Sequence, residues 1–219
     1  SKITWIPNGI DLEMIPDIGN KKENSSLVGI YAGAHGLANG LDLLLDAAKI
    51  LQSSDLKDKV YFRLVGDGPE KARLMNRAQT EGITNVSFED PVPKNDVYKI
   101  LAEADFFTVV LRDSPLYQWG ISLNKLFDYM ALCRPIVFSG RAPSNPVELS
   151  GAGIVTAPGD AVALAEGIRR VAQMSVSERH AYGQRGRDYV ERHHAITILV
   201  NRLEGVLFSV VEEAINHRG

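Results

Sequence analysis

Short runs of apolar, β-branched residues alternate along this chain with longer stretches in which apolar positions recur every three or four residues. The runs SLVGIYAG (26–33), KVYFRLVG (59–66), NVSFED (85–90), DFFTVVL (105–111), PIVFSG (135–140) and GIVTA (153–157) read as strands. The stretches 40–54, 68–82, 94–104, 122–132 and 160–174 carry helical periodicity, with a shorter helix near 145–150. Pro69 suits a first helical turn, and Asp160 suits a helix cap. The chain beyond residue 175 reads as helical throughout.

Strands that alternate with helices predict a parallel sheet covered on both faces. Right-handed crossovers then give a doubly wound, Rossmann-like α/β layer of six strands, with extra C-terminal helices. In such sheets ligands bind beyond the carboxyl ends of the strands, so the informative residues are those just after each strand.

Composition narrows the choice of ligand. The 219 residues are 45% hydrophobic and 23% charged, which suits one large domain or two small ones. A net charge of −3 argues against a nucleic-acid partner. An anionic ligand would have to be caught by a local cluster, because screening weakens charges beyond about 8 Å. The lone Cys133 has no internal disulfide partner, which points to a reducing cytosol. No apolar run approaches the ~20 residues of a membrane span, and no signal peptide opens the sequence. Ser1 stands where a full gene product has Met, and SKITWIPNGID reads as the tail of something longer, so the expectation is a fragment.

After the first strand comes GAHGLANG (33–40), which is neither G-x-G-x-x-G nor a P-loop. Its glycines would let backbone N–H groups approach a phosphate, or serve an ordinary turn. Asn39 could cap the helix that follows, and His35 reads more readily as a surface or core residue than as a catalytic one. After the second strand, Gly66 and Gly68 bracket Asp67 as turn chemistry would. After the third, EDPVPKND (89–96) is a stiff loop whose free carbonyls could read the edge of a flat base. After the fourth, RDSPLYQWGIS (112–122) is long and aromatic, as binding loops often are.

That loop enters a helix expected to begin near Ser122, with Leu123, Asn124 and Lys125 in its first turn. Free N–H groups at a helix start form an anion site, to which the dipole adds about 0.3–1 kcal/mol. A Lys125 hydrogen bond to phosphate would add about 1.5–3 kcal/mol, so the lysine should dominate. A lysine at this position is unfavourable for the helix itself, which marks Lys125 as more than decoration. Asp128 follows one turn later, where its carboxylate could accept from a ribose diol or pair with Lys125.

The segments IPNGID (6–11), GLDLLLDAA (40–48), LVGDGPE (64–70), NVSFEDPV (85–92), NKLFDYMALCRPIV (124–137) and APGDAVALAEGI (157–168) occur in an order that resembles group 1 (family 4) retaining glycosyltransferases of the two-domain GT-B architecture. The likeness covers nearly the whole chain and only the C-terminal, nucleotide-sugar-binding half. It implies that residues 1–10 are an interdomain linker remnant, that 11–219 are the donor domain, and that an N-terminal acceptor domain is absent. It implies Lys125 and the helix start for the donor diphosphate, Asp128 for the ribose, and Asp90, Pro91 and Val92 for the base. Gly120, Ile121 and Ser122 would lie beside the donor sugar, while Gly33 and Ala34 would back the phosphates. Lys125 and Asp128 are thus the candidate catalytic residues. His35, Gly66, Asp67, Leu123 and Asn124 complete the candidate donor site.

The pattern also departs from the family. Counting back eight positions from Asp128 gives Gly120 where the E-x7-E pair has its first glutamate. The family's Arg and Lys after the first strand are missing, and His35 and Asn39 stand near their places. Cys133 replaces a usual glycine. GISLNKLFDYM is similar to a subgroup that handles UDP-linked amino or deoxy sugars in surface polysaccharide synthesis.

The implied reaction moves a sugar from a nucleoside diphosphate to an acceptor sugar or lipid-linked glycan with retention of configuration. The expected setting is the cytoplasm, at the inner face of the membrane if peripheral. No Asp-x-Asp motif appears, so Lys125 and backbone N–H groups are expected to take the place of a metal ion, with no cofactor. The missing half would close over the donor, so the fragment alone is expected to bind nucleotide weakly and not to turn over. A sugar-nucleotide epimerase and a non-catalytic nucleotide-binding module are the alternatives. A dehydrogenase is disfavoured by the failed dinucleotide fingerprint. His193 and His194 lack ligand spacing and read as solvated or capping residues.

Overall fold

The computed structural model describes residues 3–16 and 25–216. The first two residues of the expected linker remnant and the last three of the chain lie outside the described residues. Six strands alternate with helices: β1 (Leu27–Ala32), α1 (Leu41–Gln52), β2 (Val60–Val65), α2 (Lys71–Thr80), β3 (Val86–Glu89), α3 (Lys94–Leu101), β4 (Phe106–Val110), α4 (Asn124–Ala131), β5 (Ile136–Ser139), α5 (Pro146–Ser150) and β6 (Gly153–Thr156). Among the described residues three further helices follow: α6 (Ala161–Gln173), α7 (Val176–His193) and α8 (Ile196–Asn216).

The strands form one sheet in the order β3-β2-β1-β4-β5-β6, and every pair is parallel. All side chains of β4 and β5 are buried, as a sheet covered on both faces requires. One apolar layer holds Leu44 and Leu51 of α1, Leu74 of α2, and Leu164 and Ile168 of α6. The other holds Tyr98 and Leu101 of α3, Leu126 and Met130 of α4, and Val190 of α7. The strand order reverses between β1 and β4, and the helices that follow these two strands, α1 and α4, lie on opposite faces. A crevice therefore opens at the carboxyl ends of β1 and β4, where ligands bind in such sheets.

Helix ends follow local chemistry. The Asp160 side chain accepts from Ala163 N at 2.8 Å and starts α6. Ser175 and Glu178 form a reciprocal capping box at the start of α7. Two expected helix starts are corrected. α2 begins at Lys71, because Gly66 to Gly68 continue toward the β1 loop before the chain turns. α4 begins at Asn124 with Leu123 as its N-cap and no capping side chain, so Ser122 lies outside the helix. Asn39 does not cap α1: Gly40, left-handed at φ 57°, closes a 3-10 turn over Leu37–Asn39 and occupies the cap itself.

His194 takes the capping role of its two expected readings, and His193 the solvated one. His194 is buried, caps α7 and stacks on the Phe127 ring at 3.9 Å, while His193 is exposed. Ile10 forms an isolated parallel bridge with Ala195, so residues 8–10 pack on the α7–α8 junction. α8 leaves Leu203, Leu207, Phe208 and Val211 exposed. Among the described residues, no helix is long and apolar enough to cross a membrane.

Candidate functional site

The loops after β1 and β2 are zipped together beyond the sheet. Gly33 N donates to Val65 O at 2.9 Å, His35 N to Asp67 O at 2.8 Å, and Glu70 N to His35 O at 3.0 Å. This parallel pairing explains the glycines better than a turn does. Gly66 has φ +142°, and a Cβ there would fall 2.0 Å from Gly33 O. The zipped loops form one wall of a cavity of about 380 Å³ at the switch point. Gly33, Ala34, Gly66, Asp67, Pro91, Val92, Lys125 and Asp128 all line it, so the structure brings these eight candidates together. Val97, Leu101 and Tyr129 complete its apolar side.

Lys125 is the second residue of α4, and its ammonium turns back beneath the β1 loop. Nζ donates to the Tyr31 hydroxyl at 2.8 Å and to Asn39 Oδ1 at 3.2 Å, and lies 4.2 Å from the centre of the Tyr31 ring. The Tyr31 hydroxyl in turn donates to Ala34 O at 2.7 Å. The hydrogen-bond partners of the ammonium are neutral, and burial lowers its pKa to about 8. Such a cation has been desolvated without receiving a counter-charge from the described residues, and an anion in the cavity would supply one.

Asp128, one turn along α4, accepts from the Tyr98 hydroxyl at 2.8 Å. Burial first, and then this carboxylate, push the Tyr98 pKa up, so the phenol remains a donor at neutral pH. Beneath them Tyr129 stacks on Phe107, with ring centres 4.2 Å apart. Its hydroxyl accepts from Ala32 N at 2.7 Å and donates to Ala32 O at 3.1 Å. This ties α4 to the end of β1. On the far wall, Lys71 Nζ donates to Glu89 O at 2.9 Å and to Asp90 Oδ1 at 2.8 Å, anchoring the 90–92 loop.

The remaining candidates lie elsewhere. His35 is fully buried behind the rim, between Tyr31 and Phe88, with no hydrogen-bond partner for either ring nitrogen among the described residues. Burial, and then Lys71, lower its pKa, so the ring is neutral and packs as core. Asp90 is exposed and engaged by Lys71. Gly120, Ile121 and Ser122 line a separate cavity of about 780 Å³, together with Trp5, Trp119 and His194. Leu123 and Asn124 form the start of α4. Among the described residues, no group of three or more His, Cys, Asp or Glu is placed to hold a metal ion.

Sequence reasoning did not single out Tyr31, Tyr98 or Lys71. Tyr31 and Tyr98 fit the apolar pattern of their strand and helix. Lys71 was readable only from its position opposite the end of β3.

The family model for glycosyl transferases group 1 matches residues 27–174, more than half of the chain and all six strands. The chain belongs to this family. The group 1 match spans the whole switch-point cavity, from the β1 loop to α4. Solved structures agree in fold, which is Rossmann-like and of the GT-B type. HepE from Anabaena, in complex with UDP and glucose, superposes with a TM-score of 0.73 at 17% identity, over 93% of this chain and 56% of that one. WaaG, a glycosyltransferase involved in lipopolysaccharide biosynthesis, gives 0.70 at 19% identity, over 92% and 55%. The C-terminal domain of LpcC, a group 1 protein from Francisella tularensis, gives 0.67 at 15% identity, over 86% of this chain and 100% of that one. This group 1 chain thus spans about half the length of HepE and WaaG. No curated protein matches the sequence.

Proposed function

We propose that this chain is the donor-binding half of a retaining glycosyltransferase that takes a UDP-linked sugar. Residues 11–219 form the donor domain, and residues 1–10 lead into it from the acceptor half. One observation carries the reading: the half-buried Lys125 ammonium, with neutral hydrogen-bond partners, faces a cavity at the β1–β4 switch point. Lys125 and the free N–H groups of the first turn of α4 take the diphosphate. Asp128, held by Tyr98, accepts from the ribose. Gly33 and Ala34 let the β1 loop approach the phosphates, with Gly66 and Asp67 behind it. Pro91 and Val92 line the side where the base lies flat. The sugar extends from the diphosphate past the start of α4 toward Gly120, Ile121 and Ser122, which line the separate cavity on that side.

As the glycosidic bond breaks, the diphosphate gains negative charge, and a fixed ammonium placed there lowers the barrier. A metal ion is not needed for that role. The acceptor is a sugar or lipid-linked glycan of surface polysaccharide synthesis, held by the other half, which also closes the site to water. HepE, with UDP and glucose bound, and WaaG, in lipopolysaccharide synthesis, support this substrate class by likeness of fold. Calorimetric titration of UDP tests the reading. The unchanged chain should bind UDP weakly without hydrolysing or transferring UDP-sugars, and Lys125→Ala should bind at least ten-fold less well. Equal affinity in the two proteins would show that the phosphates lie elsewhere. Loss of transfer by the full-length enzyme in EDTA would refute the metal-free role of Lys125.

A further inference from the structure

α4 starts without a capping side chain of its own, since Leu123 occupies the N-cap. A helix start of this kind frays easily. Here it is strapped from a distance. Asn8 Nδ2 donates to Ser122 Oγ at 2.9 Å and to Asn124 Oδ1 at 2.8 Å. The two acceptors flank Leu123, and Asn124 directly precedes Lys125. A primary amide has two N–H hydrogens, and this geometry uses both.

Asn8 is itself fixed. Its carbonyl lies 3.0 Å from His194 Nδ1, Ile10 N donates to His194 O at 2.8 Å, and Ile196 N donates to Ile10 O at 3.0 Å. The His194 ring stacks on Phe127, three residues beyond Asn124. Segment 8–10 therefore braces α4 against the α7–α8 junction, with one contact at the helix start and one a turn later. Asn8 does not line the switch-point cavity, which lies across α4 from it.

We propose that Asn8 is a positioning residue for the nucleoside diphosphate, acting through the first turn of α4. The role rests on the diphosphate reading given above. Lys125 is only the second residue of the helix, so fraying or rotation of that turn moves its ammonium and the free N–H groups together. Misplacement by about 1 Å is enough to weaken a charge-assisted contact substantially. The base and ribose contacts come from other parts of the site, the 90–92 loop and Asp128 in the second turn, and are braced by Lys71, Tyr98 and Tyr129.

This division sets the test. UDP and UMP are titrated into the unchanged chain, Asn8→Ala and Lys125→Ala, with the melting temperature of each recorded. The unchanged chain should prefer UDP over UMP, and Lys125→Ala should abolish that preference. Asn8→Ala should lose about five-fold in UDP affinity, the worth of one net hydrogen bond, with UMP affinity changed less than two-fold. Asn8→Ser, too short to reach both acceptors, should show the same split and serves if the alanine variant folds poorly. Equal losses for UDP and UMP, or no loss for either, would overturn the role of Asn8 while leaving the diphosphate reading intact. No preference for UDP in the unchanged chain would overturn both.

Discussion

The Tyr98 hydroxyl donates to Asp128 Oδ1 at 2.8 Å and joins α3 to α4 at the floor of the switch-point cavity. The bond holds one carboxylate oxygen and fixes the orientation of the group. If Asp128 receives a ribose diol, Tyr98→Phe should loosen that contact while keeping the ring packed. UDP affinity should fall about three- to ten-fold, in line with one net hydrogen bond of about 0.5–1.5 kcal/mol. The difference in affinity between UDP and 2′-deoxy-UDP should shrink in the variant. Calorimetry with both nucleotides checks this, and an undiminished difference would place the ribose away from Asp128.

Lys125 predicts a trade between binding and stability. The unfolded chain holds this proton to about pH 10.4, whereas burial lowers the folded value to about 8. Between these values the unfolded state binds more protons, so the charge destabilises the fold at neutral pH and the penalty fades as pH rises. Lys125→Met keeps the apolar stem and removes the charge. It should raise stability by about 1–2 kcal/mol, the gross penalty offset by the lost bonds to Tyr31 and Asn39. In a chain of this size that is a melting-point rise of about 2–8 °C. UDP affinity should fall ten-fold or more in the same protein. Thermal melts at pH 7 and pH 10 check the sign, because the advantage of Met should shrink at the higher pH.

The same titration controls ligand binding. Below about pH 8 the ammonium is formed before the nucleotide arrives. Above it the free protein holds neutral lysine, and an anion must draw a proton in with it. UDP affinity should therefore decline above about pH 8, approaching ten-fold per pH unit. Near pH 8.5, calorimetry in buffers of different ionisation enthalpy should show proton uptake on binding. Flat affinity between pH 7 and 9.5 would exclude Lys125 as the phosphate cation.

Much of this was legible along the chain, because periodicity reports burial directly. All six strands stand where β-branched runs placed them, and the lysine singled out at a helix start lines the switch-point cavity. What could not be read depends on contacts between distant segments. Tyr98 shares its helix face with Leu101, and its hydroxyl does not alter that apolar pattern. Asn8 lies more than a hundred positions from Ser122 and Asn124. His35 stands beside glycines in a loop whose sequence leaves surface and core both open, and the pairing of that loop with residues 66–70 decides for the core. The helix expected to begin near Ser122 begins at Asn124, and the distant Asn8 bonds the side chains on either side of its N-cap.

That paired loop supplies a last prediction, which separates crowding from backbone strain. Gly66 and Gly82 both have positive φ, +142° and +65°. A Cβ at Gly82 would meet nothing within 4 Å, so Gly82→Ala should cost only the left-handed backbone penalty of about 1–2 kcal/mol. A Cβ at Gly66 would fall 2.0 Å from Gly33 O, and that backbone is pinned by its bond to Val65 O. Gly66→Ala must push the β1 and β2 loops apart as well, and should cost about 3 kcal/mol or more. Because Gly33 and Gly66 both line the switch-point cavity, it should also weaken UDP binding if the nucleotide lies there, and Gly82→Ala should leave binding unchanged. Urea melts and UDP titrations of the two variants check this. Equal destabilisation would mean that the two loops are not held together as tightly as their hydrogen bonds require.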